Sequence, residues 1–452
     1  MNTSPFSTER LLTTLEALSL PGPYYVAYSG GLDSHVLLHA LTRLQSRIGI
    51  EIRALYVNHG LNDKADIWGT HCEKTCKNLN IIFTQLKITE SCPKGESREA
   101  WARKLRYDLL KKKVGTEGTL LTAHHQDDQA ETLLIQLIRG SGAQGLAAMP
   151  LIKNRTGMLH ARPLLEVSRQ QLLTYAKKHD LQWIEDDSNN DLSYDRNFFR
   201  KEILPMLRLR WSNVSRTLAR VSAHQAEVIS ILDDIGEIDL LKCIGDTSVK
   251  LNTRQIMALS SARQSNVIRY WIRQANFSVP GSKKIRQILD ILLPARGDTS
   301  PMVTWPGCEI RRYKEFIYVC KPILNNDNSS IVNWQMDSPC LLGDALLSAR
   351  LGQGEGIKTD ICPDGRVQVR YRQGGEKIQL KNKKHRQALK KLFQEKGVPP
   401  WMRGRIPLLY VGDILLAVAG LWIDVAACSK DSEISWQIEW TGLDEYCNAD
   451  TK

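Results

Sequence analysis

The run Tyr24-Tyr25-Val26-Ala27-Tyr28, followed by Ser29-Gly30-Gly31-Leu32-Asp33-Ser34, constrains this chain more than any other stretch. Aromatic and β-branched residues read as a strand and the Ser-Gly-Gly step as a tight turn. His35-Val36-Leu37-Leu38-His39-Ala40-Leu41 then resumes with helical spacing. Glycines at such a turn let the backbone approach an anion closely, and the helix N-terminus offers N–H groups and a favourable dipole. Ser29 and Ser34 add hydroxyl donors. A carboxylate at Asp33 would repel phosphate, so it makes chemical sense with a bridging cation such as Mg²⁺. Ser29, Gly30, Gly31, Leu32, Asp33 and Ser34 are therefore the candidate nucleotide-binding residues, with Asp33 as the candidate metal ligand. No Gly-Lys-Ser/Thr follows, which excludes the phosphate loop of kinases and GTPases.

From Tyr24 to about Ile184 strands and helices alternate. Glu51–Asn58, Ile81–Ile88 and Thr119–His124 read as further strands; Ser97–Lys113 reads as a basic amphipathic helix and Gln126–Arg139 as another helix. This order predicts an α/β domain with a doubly wound parallel sheet, whose ligands sit at the carboxyl ends of the strands. The Ser29–Ser34 turn and the stretch from His124 to Thr132 both fall at such ends.

His124-His125-Gln126-Asp127-Asp128-Gln129-Ala130-Glu131-Thr132 packs two imidazoles and three carboxylates into a strand end and the first helical turns. Asp127 and Glu131 are i,i+4 and Asp128 and Glu131 i,i+3, so all can face one cleft. Acidic residues in a first helical turn also complement the helix dipole, but three beside two histidines exceed what capping needs. Such a cluster can hold a divalent metal, bind a cationic substrate or supply a base. Asp33, His124, His125, Asp127, Asp128 and Glu131 form the candidate catalytic set. A metal-dependent phosphoesterase is a rival reading of the His-His-Asp-Asp pattern.

The 452 residues predict two or three domains. The expected boundaries are a catalytic domain over 1–212, a mainly helical domain over 213–324, a linker over 325–341 and a small mixed α/β domain over 342–452. Val214–Leu232, Arg254–Ala275 and a basic run Lys383–Glu395 read as helices. Cys308–Pro322, Val367–Arg372, Leu408–Val411 and Ile414–Ala419 read as strands, and the polar 325–330 stretch as the linker. The net charge of +12 favours a polyanionic partner. Lys381, Lys383, Lys384, His385, Arg386, Lys390 and Lys391, with Trp401, Arg403 and Arg405 after them, read as an RNA-backbone surface with Trp401 as a stacking residue. Among ten cysteines only Cys72 and Cys76 lie close together, one helical turn apart, and no Cys-x-x-Cys pair points to a structural zinc or iron–sulfur site. The first six residues lack the pattern of a signal peptide, and the longest strongly apolar run, Ile414–Ile423, is too short to cross a bilayer. A cytoplasmic protein with no membrane contact is expected.

The Ser-Gly-Gly-Leu-Asp-Ser turn resembles the pyrophosphate loop of the ATP pyrophosphatases. Together with the His-His-x-Asp-Asp-Gln-x-Glu-Thr stretch it resembles the tRNA(Ile)-lysidine synthetases. Further matching features are Glu99, Ala102, Arg103, Arg106 and Tyr107; Arg139 to Gly142 with Gly145, Leu146 and Met149; and Arg162-Pro163-Leu164. Glu185 to Asn189 with Arg196-Asn197, and Arg370 to Glu376, complete the set. The resemblance spans nearly the whole chain and implies an adenine nucleotide alpha hydrolase-like fold. It implies ATP and Mg²⁺ as cofactors. The implied reaction is adenylation of the carbon-2 oxygen of the wobble cytidine in the isoleucine tRNA with anticodon CAU. Free L-lysine then displaces AMP to give lysidine, changing the codon read from AUG to AUA. Asp128 and Glu131 would bind the lysine, which is sensible for a cationic amino acid. His124, His125 or Asp127 would take up the amine proton or depress its pKa. Arg103, Arg106, Arg196, Arg370, Arg372, Lys383, Lys384, Arg386 and Arg403 are the candidate RNA contacts. Expected partners are this tRNA, free lysine and, as an option, a second copy in a homodimer. The alternatives are a tRNA sulfur-transfer enzyme on the same loop and a non-catalytic RNA-binding protein.

Overall fold

The computed structural model describes residues 5–58, 60, 64–93, 95, 98–155, 157–186, 190–245, 247–296, 301–322, 331–343, 345–430 and 432–443. The motif positions 187–189 and the 325–330 part of the expected linker lie outside the described residues, whereas the remainder of that linker, 331–341, carries the strand Val332–Gln335, paired with Arg366–Val369, and the start of the strand Cys340–Leu342. The chain divides into two compact units, Met1–Ile231 and Leu232–Lys452.

The first unit is built on strands β1 (Tyr24–Ala27), β2 (Ile52–Asn58), β3 (Ile82–Lys87), β4 (Thr119–Leu121), β5 (Ile152–Arg155) and β6 (Met158–Ala161). They form one sheet in the order β3-β2-β1-β4-β6-β5, parallel except for the edge strand β5. Helices α1 (Thr8–Leu18), α2 (Leu32–Ile48), α3 (Ala65–Asn78), α4 (Arg98–Val114), α5 (Gln126–Ile138), α6 (Ala143–Leu146) and α7 (Arg169–Lys178) accompany them. Period-two alternation in β1 sends Tyr24 and Val26 into the core shared with α1, α2 and α7, and Tyr25 into a second cluster with Tyr107, Leu110 and Leu120. The expected doubly wound sheet is therefore present. Strand order reverses between β1 and β4, so the connections leaving their ends diverge and open a crevice there.

The middle segment is mainly helical, as expected, and in the second unit it also carries a small sheet. Helices Ser261–Gln274 and Ser282–Gln287 pack on a four-stranded antiparallel sheet made of Lys250–Asn252, Phe316–Cys320, Cys308–Tyr313 and Met302–Trp305. The segment read as one strand, Cys308–Pro322, is a hairpin that turns at Lys314 with φ +52°. The C-terminal part is rich in β-structure, with a five-stranded and a four-stranded sheet around Trp334, Val369, Phe393, Leu408 and Leu416. The basic run is helical only over Leu389–Glu395, because Gln387-Ala388 pairs as a strand with Lys377-Ile378. Lys383, Lys384 and Arg386 lie in the connection before it, where like charges at i,i+3 avoid the repulsion a helix would impose.

Candidate active site

Both motifs sit at the β1/β4 crevice, and each loop is fixed by its own hydrogen bonds. After β1, Gly30 takes φ +80°, and a Cβ there would lie 2.6 Å from Ile184 Cδ1 and 2.9 Å from Cys72 Sγ. The backbone of Ile184 donates to the Gly30 carbonyl at 2.9 Å, strapping the turn from beneath. Ser34 Oγ accepts from the Ser29 amide at 3.2 Å and donates to the Gly31 carbonyl at 3.0 Å, which closes the turn onto the first turn of α2. Gly31 has an ordinary φ of −74°, and a Cβ there would make only van der Waals contacts. The turn thus presents backbone at its open side, as an anion cradle requires.

His125 caps α5. Its backbone N–H donates to Asp128 Oδ2 at 3.0 Å, while its Nδ1 accepts from the Asp128 amide at a long 3.4 Å. Its Nε2 lies 3.5 Å from both Asp33 Oδ2 and Asp128 Oδ2, so this buried ring joins the two motifs. Burial alone would lower its pKa, but Asp128 and Asp33 outweigh it and raise the value to about 9. In the neutral ring the cap uses the Nδ1 lone pair and the proton sits on Nε2, between the carboxylates; the second proton that those carboxylates favour goes to Nδ1 and gives up the long 3.4 Å cap bond.

Asp33 is one-third exposed, and its Oδ1 is buried without a hydrogen-bond partner among the described residues. An orphaned carboxylate oxygen beside an anion cradle fits a divalent cation shared with phosphate. Among the described residues no group of three or more His, Cys, Asp and Glu could hold a metal ion.

The carboxylates of Asp128 and Glu131, expected to bind the lysine, are both engaged by guanidinium groups. Arg196 donates to Asp128 Oδ1 at 2.8 Å and to Glu131 Oε2 at 3.0 Å. Arg200 donates to Asp128 Oδ1 at 2.8 Å and to Glu131 Oε1 at 2.7 Å. Desolvation works to raise the Asp128 carboxyl, but His125 and Arg196 hold it well below the ordinary range. Arg196, expected on RNA, is therefore an internal counter-ion. Arg200 was missed; its signal was the Arg196/Arg200 pair at i,i+4, two cations on one face answering two carboxylates.

Asp127 also has a different task from the one expected. Its Oδ2 accepts from the Arg169 amide at the start of α7 at 2.9 Å, and its Oδ1 is paired with Arg208. It ties α5 to the start of α7, beside a cavity of about 1130 Å³ also lined by Glu131, Lys153, Arg200 and Arg208. His124 turns the other way: its Nδ1 is 2.8 Å from Thr122 Oγ1, and burial lowers its pKa to about 3.

The other expected RNA contacts divide. In the first unit Arg103, Arg106 and Arg155 surround the Tyr107 ring at 5.4, 5.2 and 4.0 Å from its centroid, and the buried Tyr107 hydroxyl has no hydrogen-bond partner among the described residues. In the second unit Arg403 is only 8% exposed and donates to the Val398 carbonyl and the Tyr313 hydroxyl, so it is a core residue and not an RNA contact. Trp401 packs edge-on against Tyr313 and Tyr318, which likewise removes it as a stacking platform. Arg370 lies 4.6 Å from the Tyr410 ring centroid and donates to Gln368 and the Gly412 carbonyl, while Arg372 faces Glu376 at 3.5 Å. Lys383, Lys384 and Arg386 are exposed, and Arg386 is loosely paired with Asp424 at 3.6 Å. Cys72 and Cys76 are buried, and desolvation pushes both thiols up to about 12, which makes them poor sulfur carriers. No helix among the described residues is long and apolar enough to cross a membrane.

Comparison with known proteins covers both units. Residues 8–207 match the PP-loop domain, 251–318 the TilS substrate binding domain and 367–440 the TilS substrate C-terminal domain. The tRNA(Ile)-lysidine synthase of Coxiella burnetii is 39% identical over 436 residues, 96% of each chain. The synthase of Methylococcus capsulatus is 37% identical over 93% of this chain and 97% of its own. That of Pectobacterium atrosepticum is 36% identical over 96% and 98%. With identity of this order running almost end to end, and the crevice motifs and the second unit's segments matched separately, this chain belongs to the tRNA(Ile)-lysidine synthase family.

Proposed function

We propose that this chain adenylates the carbon-2 oxygen of the wobble cytidine in the isoleucine tRNA with anticodon CAU, and then joins free L-lysine to carbon 2. AMP and pyrophosphate leave, and the codon read changes from AUG to AUA. The observation that carries this reading is the junction of the two motifs across the crevice, where His125 Nε2 lies 3.5 Å from Asp33 of the loop and 3.5 Å from Asp128 of the helix. A triphosphate held by the first motif is thereby set beside the charged groups of the second.

The chain's own groups divide the work. Amides of the Ser29–Ser34 turn and the first turn of α2 bind phosphate, and the hydrogen bonds of Ser34 keep that cradle formed before ATP arrives. Asp33 would hold Mg²⁺ through the oxygen that has no hydrogen-bond partner among the described residues, and the ion when bound would neutralise phosphate charge. Arg103 and Arg106 carry charge with no carboxylate partner among the described residues, which suits the phosphates of an anticodon loop. Lysine reaches Asp128 and Glu131 by exchange with Arg196 or Arg200, since those guanidinium groups fill the carboxylates otherwise. The buried thiols of Cys72 and Cys76 argue against sulfur transfer.

Incubation of unmodified tRNA with the protein, ATP, Mg²⁺ and lysine, followed by mass analysis of the nucleosides, tests the reading. Conversion of the wobble cytidine to lysidine is expected, and a folded protein that transfers no lysine to any transcript would refute it. Asp33→Ala should abolish pyrophosphate release and leave tRNA affinity within about twofold, because the carboxylate serves the nucleotide.

A further inference from the structure

A chain of polar side chains runs from the interior of the sheet to His124. His160 lies on β6, is fully buried, and receives Arg155 Nε at 3.3 Å and an Arg162 NH₂ group at 3.2 Å on its Nδ1. A guanidinium has no acceptor, so His160 Nδ1 must carry the lone pair and its single proton must sit on Nε2. That Nε2 is 2.9 Å from Thr122 Oγ1 and therefore donates to it. The Thr122 hydroxyl has one proton, and its remaining neighbour is His124 Nδ1 at 2.8 Å. Thr122 donates there, and His124 Nδ1 accepts. The proton of the His124 ring is thus left on Nε2, which has no hydrogen-bond partner among the described residues.

We propose that His160 and Thr122 are positioning residues that hold His124 as a neutral imidazole with its proton on Nε2. His124 then serves as a hydrogen-bond donor to a substrate oxygen that gains negative charge, and it is not the base that takes the lysine proton. Every bond in the relay has its direction fixed by the arginines at its far end, so the polarity is set by the fold and not by pH. Burial with Arg196, Arg162 and Arg103 nearby opposes a positive His124, although Asp128 works the other way, and burial with Arg162 and Arg155 opposes a positive His160. An uncharged imidazole donor stabilises a developing oxyanion without first losing a proton to solvent.

The catalytic role of His124 rests on the lysidine-forming reading, whereas its tautomer does not, so the two can fail separately. Nitrogen-15 NMR of histidine-labelled protein, with the His124 signals assigned by their loss in His124→Gln, reads the tautomer directly. A single Nε2–H form is expected from about pH 5 to 8. An Nδ1–H form, or a ring that becomes doubly protonated within that range, overturns the proposal. Thr122→Val should give a tautomer mixture and lower kcat for lysidine formation about tenfold to a hundredfold, with KM for ATP and lysine within about threefold. Thr122→Ser, which keeps the hydroxyl, should restore the single tautomer and most of the rate. A pure Nε2–H signal with an unchanged rate in Thr122→Val would remove Thr122 from the relay. If the relay signals are as expected but no lysine is ever transferred, the functional reading fails and the positioning of His124 stands.

Discussion

Glu131 has no exposed surface, and both its oxygens are occupied by guanidinium groups. The cost of replacing it is set by what is left behind. Glu131→Gln would leave Arg196 and Arg200 with a neutral amide where a charge had been, and breaking a buried pair in this way costs on the order of 3 kcal/mol. Urea unfolding should show that loss as a lower midpoint with unchanged slope, and a wild-type midpoint would mean the pairing contributes nothing. Asp128 adds a pH dependence. Its folded-state carboxyl is held below the ordinary value, so its contribution is complete above about pH 4 and is lost as pH falls below that. The stability gap between wild type and Asp128→Asn should therefore be largest near neutrality and shrink at about pH 3; a gap constant across that range would contradict the depressed carboxyl. The carboxylates and histidines were legible because they are neighbours in sequence. Arg196 and Arg200 stand 65 to 72 residues from their partners, a distance that no local pattern reports. An exposed-looking arginine read alone defaults to solvent or RNA, and only the fold reveals it as an internal counter-ion.

At the scale of elements, the strand–turn–helix was legible because its glycines mark backbone requirements, yet the two glycines do different things. Gly30 needs both its positive φ and the space that Ile184 and Cys72 leave it. Gly31 needs neither for folding. Gly30→Ala should destabilise the first unit by roughly 1–3 kcal/mol through strain and overpacking, whereas Gly31→Ala should stay within about 0.5 kcal/mol of wild type. Equal thermal midpoints for the two variants would contradict this division. Elements whose ends depend on distant partners were harder to read. The helix from Val214 continues to Cys243, past the expected end at Leu232, and Arg254–Ala275 breaks into Thr253–Met257 and Ser261–Gln274. The strand Gln387-Ala388 interrupts the basic run because Lys377-Ile378 pairs with it, which helix propensity cannot foresee.

For the whole molecule, the surplus of +12 does not measure how much charge faces RNA. Arg196, Arg200 and Arg208 neutralise carboxylates inside the first unit, and Arg403 is spent on a carbonyl and a phenol inside the second. What remains for a polyanion is the set with exposed heads, and in the C-terminal part this includes Lys381, Lys383, Lys384, Lys390 and Lys391, with Arg386 held only at 3.6 Å by Asp424. If Lys383, Lys384 and Arg386 each neutralise a phosphate, each releases counterions on binding, and replacing all three with Gln should lower the slope of log affinity against log salt by about 2 to 3. Replacing Arg403 should leave that slope unaltered while destabilising the second unit, because its guanidinium never meets solvent phosphate. Fluorescence titration of tRNA across a salt series distinguishes the two variants. A slope that falls with Arg403 and not with the lysines would place the RNA path elsewhere on the molecule and return the buried arginine to the interface.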